Sequence, residues 1–198
     1  VFRDEELRLY FGIVLGSIAL IIWNLRGFYP TFRETVRHAA FQVSSIITTT
    51  GFATTDFDLW PGFSKTILLC LMVVGACAGS TGGGLKVARL LLLLKTTRRN
   101  ISQMLNPRKV LLVRNNDQVV DEQVLSNTNA YLSAYVIILF VSFMLISLDD
   151  FSTGTNFSAV LCCFNNIGPG LELVGPTCNF SSFSVLSKLV LILDMLLG

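Results

Sequence analysis

Two short polar segments, each with a central glycine, lie between long apolar stretches of the chain. They are residues 44–52 and residues 161–170, and each includes an apolar run that is too short to cross a bilayer. Backbone carbonyls released from a helix at mid-membrane can replace the water around an ion where they line a cavity. The order of span, half-span with glycine, and span therefore predicts a pore-loop pathway for a small dehydrated cation.

The residue types in both segments suit this task. Residues 41–47 favour a short helix whose C-terminal end carries a partial negative charge and would attract a cation to the bilayer centre. Residues 48–50 are all threonine, whose hydroxyls can bond to neighbours while the carbonyls turn inward, and Gly51 can adopt backbone angles that other residues resist. In the second segment two asparagines replace threonines, and Pro169 stiffens the exit.

Apolar stretches on both sides of these segments can supply the membrane spans that position them. A spanning helix needs about 20 residues. Gly51 and Gly168 are 117 residues apart, and each has a span before and after it at comparable distances, which predicts an internal repeat. The four predicted spans are residues 7–25, 63–94 with a glycine-rich interruption, 130–148 and 183–198.

The predicted fold class is therefore an all-α membrane protein built from repeated span, pore-loop, span units, as in a potassium channel. We expect the first unit at residues 1–94, with its pore helix and filter at about 38–53. The second unit would be residues 130–198, with its pore helix and filter at about 155–170 and its last span cut at 198. Residues 95–129 would connect the two units.

The composition of the 198 residues agrees with a membrane location. Hydrophobic residues make up 52% and charged residues 14%, with a mean hydropathy of +0.64, which is too apolar for a typical soluble domain. A net charge of +2 gives no reason to expect a nucleic-acid partner. Four of the five cysteines lie in apolar runs, so no disulfide framework is predicted. Because no signal peptide is visible, we expect an internal fragment of a longer protein.

Basic residues cluster around the connection between the two units. By the positive-inside rule this connection is predicted to be cytoplasmic, so both pore loops would enter from the outer face. Arg26, Arg33 and Arg37 fall outside in this scheme and count against it, but the other cluster is denser. Residues 109–120 further resemble a short β-hairpin. The clustered residues are Lys86, Arg89, Lys95, Arg98, Arg99, Arg108, Lys109 and Arg114.

A glycine-rich stretch, residues 75–86, interrupts the second predicted span. Gly79 and Gly84 have the spacing of a phosphate-binding loop, but Lys86 comes one place late and Val87 stands where a Ser or Thr should bind magnesium. Apolar helices are also predicted where a strand should precede the loop. We therefore predict a broken membrane helix whose irregular segment could gate the pathway, with close helix packing by small residues as the alternative.

Three motifs, taken in order, resemble the TrkH-type subunits of the Trk/Ktr/HKT potassium transporter family. They are residues 48–52, 79–86 and 165–170, and the resemblance covers essentially the whole chain. It implies four repeats around one pore, of which this chain would hold the third and fourth. It also implies a multi-pass protein of the inner or plasma membrane, a homodimer, and a cytosolic nucleotide-binding regulatory subunit of the TrkA/KtrA kind. Family members carry a basic residue below the filter in the last span, whereas residues 183–198 contain no arginine.

The resemblance also implies roles for individual residues. Potassium would be the transported ion and the only metal bound, and no catalytic residue or other cofactor is expected. The filter residues would be Thr49, Thr50, Gly51, Phe52, Asn166, Ile167, Gly168 and Pro169. The gating loop would consist of Gly79, Ser80, Thr81, Gly82, Gly83, Gly84 and Lys86.

The predicted function is potassium uptake through a carbonyl-lined filter, with no covalent chemistry. The sequence leaves the coupling mode open between a gated channel, a proton symporter and a sodium symporter. Lys188 and Asp194 fall in the last apolar span; we expect Lys188 to snorkel outward or line the interior, and Asp194 to face the pore or a partner helix. A membrane-bound nucleotide-dependent enzyme is the alternative from a different class, and it would require ATP binding through Lys86.

Overall fold

The computed structural model describes residues 4–106, 111–116 and 118–198. Within these ranges the chain forms α-helices, short 3₁₀ turns and one small antiparallel sheet. The helices are α1 (Glu5–Asn24), α2 (Phe32–Ile47), α3 (Gly62–Val74), α4 (Val87–Leu105), α5 (Glu122–Ile146), α6 (Thr153–Phe164) and α7 (Val185–Leu197). The strands are β1 (Arg114–Asn115) and β2 (Gln118–Val119).

Two three-helix units make up most of the structure. Helices α1, α2 and α3 contact one another pairwise, and so do α5, α6 and α7. The units meet where α3 packs on α6, and one buried apolar core runs through both of them. In each unit the first helix is long and apolar enough to cross a bilayer, and the middle helix is too short. The third helix, α3 or α7, has 13 residues and is apolar. A long apolar helix, a short helix ending in a glycine-containing segment and a second apolar helix agree with the predicted fold class.

The register of the repeat is visible at the helix ends. Helix α1 is capped by Asp4, which accepts a hydrogen bond from the Glu6 N–H, and α5 is capped in the same way by Asp121. These two caps are 117 residues apart, as are Ile47 and Phe164, the last residues of α2 and α6. Short polar side chains favour such caps because they satisfy free N–H groups of the first turn. The repeat that the two glycines predict therefore extends to the starts and ends of helices.

Helix α2 begins nine residues before the predicted residue 41, at Phe32. Pro30 precedes it and Thr31 takes the N-cap position with extended backbone. Glu34 lies in the first turn, where a carboxylate is favoured by the helix dipole. The first half of α2 is polar, so it lacks an apolar pattern even though it is helical. The apolar pattern therefore predicted only the buried C-terminal half of the helix.

The glycine-rich stretch breaks the second apolar segment, as predicted. Helix α3 ends at Val74 and α4 begins at Val87. The backbone between them turns back on itself, because Leu85 N–H donates to the Val73 carbonyl at 3.2 Å and Val87 N–H donates to the Ala76 carbonyl at 3.0 Å. Residues 77–84 therefore form a loop closed at its base by two backbone hydrogen bonds, here called the glycine loop.

The outer surfaces of the helices are apolar. Helix α1 and the stretch Glu122–Asp149 are long and apolar enough to cross a membrane, and Gly62–Val74 is a shorter apolar helix. Large side chains such as Leu15, Phe140 and Leu196 are more than half exposed, at 63%, 63% and 77%. Surfaces of this kind are unfavourable in water and match the lipid core of a bilayer.

Helix α4 bridges the first turns of α1 and α5. Lys95 forms an ion pair with Glu5, and Arg99 forms one with Glu122. The two basic residues are four apart on one helix face, and the two acids are 117 apart. The predicted hairpin is present as β1 and β2, and Lys95 Nζ also donates to the Arg114 carbonyl at 2.6 Å. Residues 107–110 and 117 of the predicted basic and hairpin segments lie outside the described residues.

Candidate ion pathway

The two segments that follow α2 and α6, residues 48–52 and 165–169, share an unusual backbone. Thr49 and Gly51 have positive φ angles of 55° and 77°, and the residues 117 positions later, Asn166 and Gly168, have φ angles of 54° and 109°. Alternation between left-handed and ordinary backbone turns successive carbonyls toward the same side of a strand. Two segments with different sequences thus share one local fold.

Hydrogen bonds to the ends of the short helices hold this conformation. Thr48 N–H donates to Ser44 at 3.1 Å, and Asn165 N–H donates to Leu161 at 3.1 Å. The next two N–H groups follow the same register. Thr49 bonds to Ile46 (3.0 Å), Thr50 to Ser45 (2.8 Å), Asn166 to Cys163 (3.0 Å) and Ile167 to Cys162 (2.9 Å). The N–H groups are therefore consumed by the helix ends, and the carbonyls are left free.

Six carbonyls in these segments accept no hydrogen bond from any donor in the described part of the chain. They belong to Thr49, Thr50, Gly51, Asn166, Ile167 and Gly168. The Phe52 carbonyl differs, because it accepts a hydrogen bond from Ser45 Oγ at 2.6 Å, and its ring is 72% exposed. Pro169 has no N–H group and contributes its ring to the contact between the segments. Five of the six residues are exposed or half-buried and only Ile167 is buried, so these free oxygens are accessible to water or to an ion.

The segments lie against each other. A Cβ atom placed on Gly51 would collide with the carbonyl oxygen of Ile167 and would be 3.1 Å from Cδ of Pro169. Both segments also border one cavity of about 700 Å³, beside α7. Its lining includes Thr49, Thr50, Asn166, Ile167 and Gly168, together with Leu191 and Met195 of α7. The predicted filter residues of the two units are thus brought to one place.

A second cavity, of about 330 Å³, is bordered by Gly51, Phe52, Gly168 and Pro169. Near it, Glu172 accepts hydrogen bonds from Ser152 Oγ and, at 2.8 Å, from Thr155 Oγ1 at the start of α6. These hydroxyl donors lower the pKa of the Glu172 carboxyl below its ordinary value. The carboxylate thereby ties the loop after the filter to the N-terminus of α6.

We expect Glu172 to make stability depend on pH in the acid range. Because its pKa is lowered on folding, the stabilisation is complete above the ordinary value of 4.5 and is lost as the pH falls below it. The melting temperature of the wild-type protein should therefore fall more steeply below that pH than the melting temperature of Glu172→Gln. Glu34→Gln is a matched control, since Glu34 lies in the first turn of α2. Parallel curves for wild type and Glu172→Gln would contradict the assignment.

The glycine loop lies under both filter segments. A Cβ atom on Gly82 would be 2.5 Å from Thr49 Oγ1, and one on Gly83 would be 2.5 Å from the Asn165 carbonyl oxygen. At the base of the loop, a Cβ atom on Gly75, the C-cap of α3, would be 2.6 Å from the Gly83 carbonyl oxygen. Gly79, in contrast, has open space around it. Glycine is therefore required at position 83 by close approach between backbones, whereas the nearest atoms to Gly82 belong to the side chain of Thr49.

The same loop lacks the features of a phosphate-binding loop. It follows helix α3, whereas such a loop follows a strand. Lys86 has a positive φ of 62°, and its Nζ donates to the Ser80 carbonyl at 3.0 Å, across the loop. The Ala78 N–H donates to Glu6 Oε1 at 2.7 Å, which fastens the loop to the first turn of α1. Lys86 and the Ala78 N–H therefore stabilise the conformation of the loop through these two hydrogen bonds.

The charged residues of the last helix are placed differently from each other. Lys188 borders the cavity beside the two filter segments, and its Nζ donates to the Ser181 carbonyl at 2.8 Å. Asp194 is 2% exposed and accepts a hydrogen bond from Ser142 Oγ of α5 at 2.6 Å. Of the alternatives raised by the sequence, Lys188 therefore lines the interior cavity, and Asp194 faces a partner helix.

One pair of residues at the site escaped the sequence-based prediction. Tyr135 of α5 donates its hydroxyl hydrogen to Asn165 Oδ1 at 2.9 Å, and both side chains are buried. A tyrosine in an apolar span looks like ordinary packing, so no local signal marks Tyr135. The apolar pattern of α5 could only have shown that a polar group at 135 needs a partner.

The paired re-entrant segments and the apolar exterior define a membrane protein built from pore-loop units. A family model described as TrkH, cation transport protein, matches residues 30–198. The chain belongs to this TrkH family.

Individual relatives agree over nearly all of the chain. The Trk system potassium uptake protein TrkH of Salmonella typhimurium is 38% identical over 99% of this chain and 41% of its own length. The Trk system potassium uptake protein TrkG of Escherichia coli is 34% identical over 99% of this chain and 40% of its own length. The crystal structure of the potassium transporter TrkH from Vibrio parahaemolyticus superposes with a TM-score of 0.89 at 32% identity, over 100% of this chain and 42% of that chain. The chain thus spans about two fifths of the length of these relatives.

Proposed function

We propose that the full-length protein carries K⁺ across the membrane through a filter lined by backbone carbonyls. The observation that carries this proposal is the set of free carbonyls at residues 49–51 and 166–168, repeated in register in two units. Carbonyl oxygens can replace the hydration shell of a dehydrated cation. Two relatives of the chain are named as potassium uptake proteins, which supports K⁺ as the ion. The pathway needs no covalent chemistry and no cofactor.

Two units make only part of a ring around an ion. We therefore propose that two further units, supplied by the rest of the protein, complete the filter, in keeping with the length of the relatives. In this chain Thr49, Thr50, Gly51, Asn166, Ile167 and Gly168 would bind K⁺ through their carbonyls. Phe52 and Pro169 would end the binding segments and shape their outer mouth.

The glycine loop is the proposed gate. It contacts Thr49 in one unit and Asn165 in the other, so in this position it would close the pathway below the filter. Its glycines allow a change of backbone conformation at low cost. Gly79, Ser80, Thr81, Gly82, Gly83, Gly84 and Lys86 would move together when the pathway opens.

Orientation and partners complete the proposal. The basic residues of α4 and of the connection 95–129 favour a cytoplasmic position for that segment in the inner or plasma membrane. The lipid-facing apolar surfaces would contact the bilayer. A homodimer and a cytosolic nucleotide-binding subunit of the TrkA/KtrA kind are the proposed protein partners, and nucleic acid is not one. The word system in the names of the relatives supports more than one component.

Ion flux through the full-length protein in liposomes tests the proposal. We expect K⁺ flux well above that of empty liposomes and above Na⁺ flux. K⁺ flux that requires Na⁺ would identify a sodium symporter, and flux that moves protons with K⁺ would identify a proton symporter. Flux that depends on neither indicates a channel. Folded protein that moves neither K⁺ nor Na⁺ would overturn the proposed function.

A further inference from the structure

Tyr135 lies at a small buried cluster where three elements meet. It is 4% exposed, its ring packs edge-on against Phe164 at the end of α6 with centroids 4.9 Å apart, and Leu85 beside the glycine loop completes the cluster. Its hydroxyl group donates a hydrogen bond to Asn165 Oδ1 at 2.9 Å. A buried tyrosine hydroxyl needs such a partner, so the hydrogen bond holds the two residues together.

Asn165 is the residue on which the glycine loop rests. Its side chain is oriented from both ends, because Nδ2 donates to the Leu161 carbonyl at 2.8 Å while Oδ1 accepts from Tyr135. Its carbonyl oxygen is the atom that a Cβ on Gly83 would meet at 2.5 Å. Its Oδ1 would be 3.4 Å from a Cβ on Gly84. Backbone and side chain of one asparagine therefore contact two consecutive glycines of the loop.

The residues 117 positions earlier, in the first unit, show which of these hydrogen bonds both units share. The equivalent of Asn165 is Thr48, and its Oγ1 donates to the Ser44 carbonyl at 2.7 Å. Ser44 is the equivalent of Leu161, so both side chains close the end of their helix in the same way. The equivalent of Tyr135, however, is Ile18, which has no polar group. The tyrosine hydrogen bond is thus an addition found only in the unit on which Gly83 and Gly84 rest.

We propose that Tyr135 is a positioning residue for the glycine loop and favours its closed state. Its hydrogen bond to Asn165 fixes the position of the asparagine that Gly83 and Gly84 contact. This inference depends on the proposed function, in which the glycine loop closes the pathway. The filter carbonyls have their own supports, the backbone bonds of Asn166 and Ile167 to α6. Loss of the tyrosine hydroxyl should therefore loosen the gate without changing ion selectivity.

The test is K⁺ and Na⁺ flux of full-length Tyr135→Phe in liposomes, in the absence of any regulatory subunit. Phenylalanine keeps the ring packing and removes one buried hydrogen bond, which corresponds to about a two- to tenfold shift in an equilibrium. We expect K⁺ flux to rise by about that factor at an unchanged K⁺/Na⁺ ratio. Tyr131→Phe is the matched control, since Tyr131 lies one turn earlier on α5 and keeps its ring under Arg89.

A double substitution separates action through the loop from a general weakening of the fold. Gly83→Ala already disturbs the contact between the glycine loop and Asn165, so adding Tyr135→Phe should not change the flux further. Additive effects of the two substitutions would overturn the inference, and so would unchanged or lower flux in folded Tyr135→Phe. Wild-type protein without flux would instead contradict the proposed function on which the inference depends.

Discussion

Replacing Gly51 with serine should abolish the preference for K⁺ over Na⁺ and lower K⁺ flux at least about tenfold. The φ angle of Gly51 is +77°, a left-handed conformation that costs a residue with a side chain about 1–3 kcal/mol. The new Cβ would also collide with the carbonyl oxygen of Ile167 and crowd Pro169. Relief of this collision must move a proposed ion ligand in the opposite unit. Because 1.4 kcal/mol is a factor of about ten, the expected change is easily measured.

Gly27→Ser is the matched control for this substitution. Gly27 has a φ angle of +81°, close to that of Gly51, but a Cβ there meets nothing within 4 Å. It lies between α1 and α2, away from both cavities. The strain is thus similar, while the filter contact is absent. Flux measurements in liposomes, together with melting temperatures, separate the two effects. Equal K⁺/Na⁺ ratios for Gly51→Ser and wild type would place the selective site elsewhere.

Gly83→Ala should raise the unstimulated K⁺ flux at least about fivefold. An alanine Cβ would be 2.5 Å from the Asn165 carbonyl oxygen, and both atoms belong to or are attached to the backbone, so neither can rotate away. Overpacking of this kind costs about 1–3 kcal/mol, and this cost applies only while the loop is seated. The closed state is therefore destabilised relative to the open state, and the population shifts toward conduction.

Gly79→Ala tests whether the effect comes from the contact rather than from the loss of a glycine. Gly79 belongs to the same loop, but a Cβ there meets nothing within 4 Å, and its backbone does not require a positive φ. Because Gly79 belongs to the proposed gating loop but makes no such contact, we expect a change in flux well below that of Gly83→Ala. If Gly83→Ala and Gly79→Ala give equal K⁺ flux, the contact between Gly83 and Asn165 does not control the gate.

Much of the architecture could be predicted because it depends on local patterns. The paired glycines and the apolar stretches around them predict the repeat, and the structure has the same 117-residue register in the caps Asp4 and Asp121. The break near Gly84 follows from glycine density alone. The start of α2 was harder, because its first half is polar and carries Arg33, Glu34 and Arg37, and its helix signal lies in capping rather than in hydrophobic periodicity.

The contacts that organise the candidate site could not be predicted in this way. Gly83 and Asn165 belong to different units, and nothing near either residue indicates that their backbones touch. Tyr135 and Asn165 lie in one unit, but no local pattern near either residue indicates their hydrogen bond. Such contacts arise from the packing of α3 against α6 and of α5 against α6. Sequence periodicity shows which face of a helix is apolar, but not which atoms meet across it.

The contact between Gly51 and the Ile167 carbonyl has a consequence for inheritance. Positions 51 and 167 are far apart in the sequence but form one contact, so a substitution at either position affects which residues are tolerated at the other. A harmful change at position 51 should have its intragenic suppressors around Ile167 and Pro169, the residues that a side chain at 51 would displace. The repeat implies that one ancestral unit was duplicated. Once the two copies packed against each other, a change in one copy affected which residues the other could tolerate.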